Sequence, residues 1–176
     1  MARKPKNVGL LGFMGSGKST VGRLLAKKLC YHFVDIDKMV EKKMELTVEE
    51  IFNEHGQDHF RSEESTVVQE LIGHRARVIA TGGGIVENED NMVLLQKLGV
   101  TVYLKATVQE IYARTTNSRT RPLLNVENRK EVIEEMLSVR DQKYDQYSDV
   151  IVYTDDKSVL EITEEILERL WNPSKL

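Results

Sequence analysis

Short apolar runs alternate with amphipathic stretches along almost the whole chain. Val8 to Leu11, His32 to Asp35, Val78 to Ala80, Val100 to Leu104 and Asp149 to Tyr153 are short and mostly apolar, as strands buried on both faces are. Between them apolar residues return at intervals of three and four. Val21, Leu24, Leu25 and Leu29 follow the first run, and the stretches Lys38 to Met44, Val48 to Glu54 and Asp58 to Ile72 follow the second. Asn88 to Leu98, with Gly99 as a cap, and Thr107 to Thr116 flank the fourth run. Asn128 to Tyr147 and Val159 to Leu170 flank the fifth. These spacings predict helices. The alternation predicts an α/β fold with three layers, α/β/α, in which a five-stranded parallel sheet is covered by helices on both faces. A length of 176 residues suits one core, so a single domain over 1–176 is expected.

The pattern is interrupted most sharply at Gly12 to Thr20, read G-F-M-G-S-G-K-S-T. This stretch joins an apolar run to a helical pattern, the context a phosphate-binding loop requires. Gly12, Gly15 and Gly17 allow backbone N–H groups, that of Ser16 included, to wrap an anion, and the next helix offers unpaired donors. Lys18 would reach the outer phosphates and the Ser19 hydroxyl a Mg²⁺ ion, with Thr20 one residue further in. The expected ligand is a Mg²⁺-nucleotide.

Other breaks leave two readings each. Asp35 and Asp37 end the second apolar run, where they suit a metal ion and a substrate hydroxyl; equally, Asp37 suits the N-cap of the next helix. Arg61 and Glu64 share a helical face and can pair, although most such pairs are solvated. Gly82-Gly83-Gly84 closes the third run and permits close approach of a ligand or of a neighbouring element. Arg114, Arg119 and Arg121, the last followed by Pro122, form a cationic segment that reads as a lid or as solvated loop. His55 and His59 have helical spacing, but Gly56 interrupts it and no third ligand is evident.

Charge and cysteine content narrow the class. A net charge of −3 argues against a nucleic-acid or membrane binder, so anion sites must be made locally. Cys30 is the only cysteine, expected to pack at a helix end, and no apolar stretch is long enough for a signal core or a span. A cytoplasmic monomer is the expectation.

Taken together, the phosphate loop, Asp35-x-Asp37, Phe60-Arg61-x-x-Glu64, Gly82-Gly83-Gly84, Arg121-Pro122-Leu123-Leu124 and Arg140-x-x-x-Tyr144 resemble the shikimate kinases, small P-loop kinases with a nucleoside monophosphate kinase-like fold. The resemblance covers most of the chain. It implies ATP-dependent phosphorylation of the 3-hydroxyl of shikimate, a step of chorismate and aromatic amino-acid biosynthesis. It also implies roles: Gly12, Gly15, Ser16, Gly17, Lys18, Ser19 and Thr20 on the nucleotide phosphates, and Ser19 and Asp35 on Mg²⁺. Asp37 would receive the substrate hydroxyls and act as base. Arg61 and Arg140 would bind the carboxylate with backbone help from Gly83 and Gly84, while Glu64 orients an arginine. Arg121 would close on the γ-phosphate and Arg114 lie against adenine, with a substrate segment at about 36–64 and a lid at about 115–128.

Three positions depart from the family pattern: Glu45 where glycine is usual, Gln57 where glutamate is usual and Ser148 where a small apolar residue is usual. A left-handed Glu45 would cost about 1–2 kcal/mol. The alternatives are a gluconate or nucleoside monophosphate kinase of the same fold, and a nucleotide-dependent switch without turnover. The Asn-Lys-x-Asp guanine motif of GTPases is absent.

Overall fold

Side chains along four of the strands point alternately into two separate cores. In the computed structural model, which describes residues 4–116, 124 and 126–171, strand β1 (Asn7–Leu11) sends Val8 and Leu10 to one side and Leu11 to the other. β3 (Arg77–Ala80) divides Val78 from Ile79, β4 (Val100–Lys105) divides Val102 and Leu104 from Tyr103, and β5 (Val150–Tyr153) divides Val150 and Val152 from Ile151. This period-two alternation, with apolar residues at both phases, is why the strands read as unbroken apolar runs. The first core is closed by α1 (Lys18–Leu29) and α8 (Val159–Trp171). The second is closed by α2 (Ile36–Met44), α3 (Val48–His55), α4 (Gln57–Glu70), α5 (Glu89–Leu98), α6 (Val108–Thr115) and α7 (Arg129–Tyr147).

With β2 (His32–Asp35) at one edge, all strands pair in parallel in the order β2-β3-β1-β4-β5. β1 lies between β3 and β4, with Val8 opposite Val78 on one side and Val100 on the other. After β3 the chain crosses β1 to build the other half of the sheet. Helices that leave toward opposite sides open a crevice at the C-terminal strand ends there. The loops after β2, β3 and β1, three strands side by side, all face it.

The expected elements are present with shifted ends. α2 begins at Ile36, not Lys38, because the Asp35 carboxylate caps it by accepting from the Lys38 N–H at 3.4 Å. The expected cap at Asp37 is therefore corrected, as is the extended Asp35–Asp37 segment; Asp37 stands in the first helical turn. Glu45 does adopt the left-handed conformation, with φ 57° and ψ 25° at the end of α2. Cys30 is exposed rather than packed, since it forms the left-handed cap of α1 at φ 55°. A 3-10 turn, Ile85–Glu87, follows the glycine triplet and was not anticipated from the periodicity.

Candidate active site

The loop after β1 is built around positive backbone angles, with φ of 142° at Gly12, 87° at Gly15 and 95° at Gly17. It delivers the chain to α1 with no side chain capping the helix and no acid in the first turn. By contrast α2, α3, α5 and α6 are each capped by Asp35, Thr47, Asn88 or Thr107. α4 and α7 also lack a side-chain cap, but the first turn of α1, Lys18 to Thr20, lines the crevice, so its N-terminal donors face that space with the positive end of the helix dipole, the arrangement that receives phosphate. Lys18 is buried and folds back over the loop, donating to the carbonyls of Gly12 and Phe13 at 2.8 Å each. The Ser19 hydroxyl donates to Asp35 Oδ2 at 2.8 Å, joining α1 to the end of β2.

Met14, Gly15, Lys18, Ser19, Thr20, Asp35, Asp37, Arg61 and Gly82 to Gly84 share the lining of one cleft, of about 530 Å³. Thr81 fixes the glycine triplet beside the phosphate loop: both its N–H and its hydroxyl donate to Leu10 O, at 3.2 and 2.9 Å. Each glycine then has its own close neighbour. A Cβ on Gly82 would lie 2.4 Å from Glu64 Oε1 and 2.7 Å from Asp37 Oδ1; on Gly83, 3.0 Å from the Met14 N. On Gly84 it would fall 1.9 Å from Arg61 Nη2. The triplet therefore makes room for two acids, the phosphate loop and a guanidinium.

The acids are unevenly satisfied. Glu64 is fully buried, not a solvated surface charge, and accepts from Arg61 Nη1 at 2.8 Å through Oε2, while Oε1 has no hydrogen-bond partner. Burial pushes its pKa up to about 7 against the pull of Arg61. Asp37 Oδ1 is likewise buried without a partner. Burial, then the neighbouring Asp35 charge, raises the Asp37 pKa above the ordinary carboxylate range, and Lys18 and Arg61 oppose that shift.

Arg140, 5% exposed at its side chain, reaches the same place from α7. Its Nη1 lies 3.5 Å from Gly83 O, and the Tyr144 hydroxyl one turn along donates to the same carbonyl. Burial raises the Tyr144 pKa, so the hydroxyl keeps the proton it donates. The i, i+4 spacing of Arg140 and Tyr144 read from the sequence thus ends on one oxygen. Their shared neighbour Glu87 was missed. Arg140 Nε donates to Glu87 Oε1 at 2.9 Å and Arg140 Nη2 donates to the same oxygen, while Glu87 Oε2 lies 3.7 Å from Arg61 Nε.

Residues 14–171 match the family model described as shikimate kinase. The chain belongs to the shikimate kinase family. A shikimate kinase of Caldanaerobacter subterraneus subsp. tengcongensis is 41% identical over 162 residues, covering 92% of this chain and 94% of its own. That of Vibrio parahaemolyticus is 38% identical over 170 residues, covering 97% and 98%. Among solved structures, a shikimate kinase from Acinetobacter baumannii in complex with shikimate superposes with a TM-score of 0.92 at 36% identity, covering 97% of this chain and 95% of that one. A gluconokinase from Sinorhizobium meliloti reaches 0.62 at 17% identity, a likeness of fold alone.

Of the residues expected from the family, Gly15, Gly17, Lys18, Ser19, Thr20, Asp35, Asp37, Arg61, Gly83 and Gly84 line the cleft; Glu64 and Arg140 stand behind it, bonded to Arg61 and to Gly83, and Gly12 and Ser16 do not line it. Arg114 does not line it: its guanidinium is tied to Thr154 Oγ1 and O, at 3.1 and 3.0 Å, and to Glu110 at 2.7 Å. Arg119 and Arg121 lie outside the described residues. The two ends of the expected lid segment are joined by Arg129, which donates to Leu124 O at 2.7 Å and to Thr115 O and Thr116 O at 2.7 and 2.9 Å.

Proposed function

We propose that this chain transfers the γ-phosphoryl group of ATP to the 3-hydroxyl of shikimate, in chorismate and aromatic amino-acid biosynthesis, with the nucleotide on the loop Gly12 to Thr20 and the acceptor between Asp37 and the Arg61/Arg140 pair. The observation that carries this reading is the close packing of Arg61 against Gly84 in the cleft that Lys18 and Asp37 also line. It sets an acid-binding guanidinium beside a phosphate loop. Bidentate guanidinium–carboxylate pairing orients a small acid as well as attracting it, and phosphoryl transfer depends mainly on orientation and electrostatics.

The Asp37 carboxylate accepts the hydrogen bond of the attacking hydroxyl and takes its proton, and burial, by raising its proton affinity, favours that role. Lys18 stabilises the charge of the transferring group from the loop side, and Arg121 from the segment following α6, with Arg114 toward the base. Glu64 holds Arg61 against Gly84 through its 2.8 Å bond. Gly83 contributes its carbonyl, which Arg140 and Tyr144 hold in place.

Ser19 and Asp35 provide two hard oxygen ligands 2.8 Å apart beside the N-terminus of α1, a donor set that fits Mg²⁺. Among the described residues no cluster of three His, Cys, Asp or Glu side chains is arranged to hold a metal by itself, which agrees with an ion carried in largely by the nucleotide. When bound, Mg²⁺ neutralises charge on the β- and γ-phosphates. The segments at about 36–64 and 115–128 act as acceptor-binding segment and lid within a single domain, and the chain works as a cytoplasmic monomer. No described helix is long and apolar enough to cross a membrane.

A coupled ADP-release assay with shikimate, gluconate and nucleoside monophosphates tests the reading. Mg²⁺-dependent release with shikimate alone is expected. Turnover of gluconate without turnover of shikimate would contradict it.

A further inference from the structure

The one carboxylate that the ion pairs place against both substrate-facing guanidinium groups, among the described residues, is Glu87, which neither the phosphate loop nor the glycine triplet explains. Two cations, Arg61 and Arg140, meet two carboxyl groups, Glu64 and Glu87, so much of the cluster's positive charge is already answered before any acid enters. Burying a further carboxylate there adds negative charge, which a low-dielectric site resists. The two internal acids differ in freedom. Glu64 is fully buried on α4, whereas the Glu87 side chain is 39% exposed at the end of a single 3-10 turn.

Glu87 also satisfies the pair incompletely. Arg140 directs both Nε and Nη2 at one oxygen, Oε1, instead of making two parallel bonds. The second oxygen stops 3.7 Å from Arg61 Nε, and that nitrogen is buried with no hydrogen-bond partner. A carboxylate placed to use both guanidinium groups would satisfy this orphan donor; Glu87, anchored at its own Cα, does not.

We propose that Glu87 is an internal carboxylate that holds Arg61 and Arg140 as a pair in the absence of the acceptor, and that the carboxylate of shikimate displaces it toward solvent. The proposal rests on the reading of Arg61 and Arg140 as the acid-binding pair. Glu87 preserves the spacing of two like charges that would otherwise repel, and the same contact reduces the fraction of molecules ready for the acid. Apparent affinity falls in proportion to that fraction. Acceptor affinity is thus set partly by a residue that leaves the acceptor's way.

Isothermal titration of shikimate into the full chain, with and without the substitution Glu87→Gln, tests it. Gln keeps the hydrogen-bonding shape and removes the charge. The Kd for shikimate should fall about three- to tenfold, with the KM for ATP within about twofold of wild type. Glu87→Ala should shift the Kd in the same direction. An unchanged or weakened Kd in either variant, at a Tm matching the wild type, overturns the proposal. Arg140→Ala separates the two failures: if it leaves the shikimate Kd unchanged, the reading of the arginine pair is wrong; if it weakens the Kd while both Glu87 variants are neutral, only the role of Glu87 is wrong.

Discussion

Gly84→Ala isolates the steric part of the site from every other property of glycine. The backbone at Gly84 has φ −101° and ψ 6°, which alanine adopts without a left-handed penalty. The added methyl would lie 1.9 Å from Arg61 Nη2, 2.5 Å from Cζ and 2.9 Å from Nη1. Ordinary contact needs about 3.5–4 Å, so the guanidinium must retreat by about 1.5–2 Å. That retreat breaks the 2.8 Å bond to Glu64 and moves the cation away from the acid subsite. A charge-assisted bond is worth about 1.5–3 kcal/mol, which converts to a rise of about 10- to 150-fold in the KM for shikimate. The KM for ATP should stay within about twofold, because the phosphate loop does not touch Arg61 through this contact. The assay is steady-state ADP release at varied shikimate and saturating ATP, beside the thermal midpoint of each protein. The double substitution Arg61→Ala/Gly84→Ala should be no worse than Arg61→Ala alone, since the methyl then has nothing to displace. A Gly84→Ala enzyme with wild-type KM for shikimate, or a double variant showing fully additive losses, would refute the packing argument.

Two further outcomes follow from the acids. Asp37→Asn should lower kcat by about 10²- to 10⁴-fold with ATP binding nearly intact, read by single-turnover kinetics and nucleotide titration; strong residual turnover would remove Asp37 from the mechanism. Glu64 has a folded pKa of about 7 against an ordinary value of 4.5, so between these values the folded state binds the more protons and stability declines as pH rises. Wild type should therefore lose up to about 3 kcal/mol relative to Glu64→Gln from pH 4.5 to 7, by urea unfolding across that range; parallel stability curves would contradict the burial argument.

The sequence made the strands, the phosphate loop and the order of the site motifs legible because those signals are local. Apolar runs report burial on both faces in β1, β3 and β4, although at the edge strand β2 His32 is exposed and Phe33 to Asp35 are only half-buried, and the glycine-lysine loop requires its own backbone. What escaped depends on neighbours distant along the chain. Asp37 could be read as a helix cap because one carboxylate was needed there, and Asp35 filled that place two residues earlier. The Arg61–Glu64 spacing predicts a pair but not its burial, which comes from α4 lying under the glycine triplet. Gly82 to Gly84 announced close approach without naming what approached. Glu87 carried no local signal, since Arg140 is 53 positions away.

The central claim is that two guanidinium groups, buried Arg140 and half-buried Arg61, read a carboxylate beside the phosphate loop. Comparing shikimate with its methyl ester as phosphoryl acceptor for the wild-type chain, by ADP release and direct product detection, tests this most directly. The ester keeps every hydroxyl and removes the charge. The account predicts efficient turnover of shikimate and a kcat/KM for the ester lower by about 100-fold or more, as expected when a charged hydrogen-bonded pair is lost. Equal kcat/KM for acid and ester would contradict it.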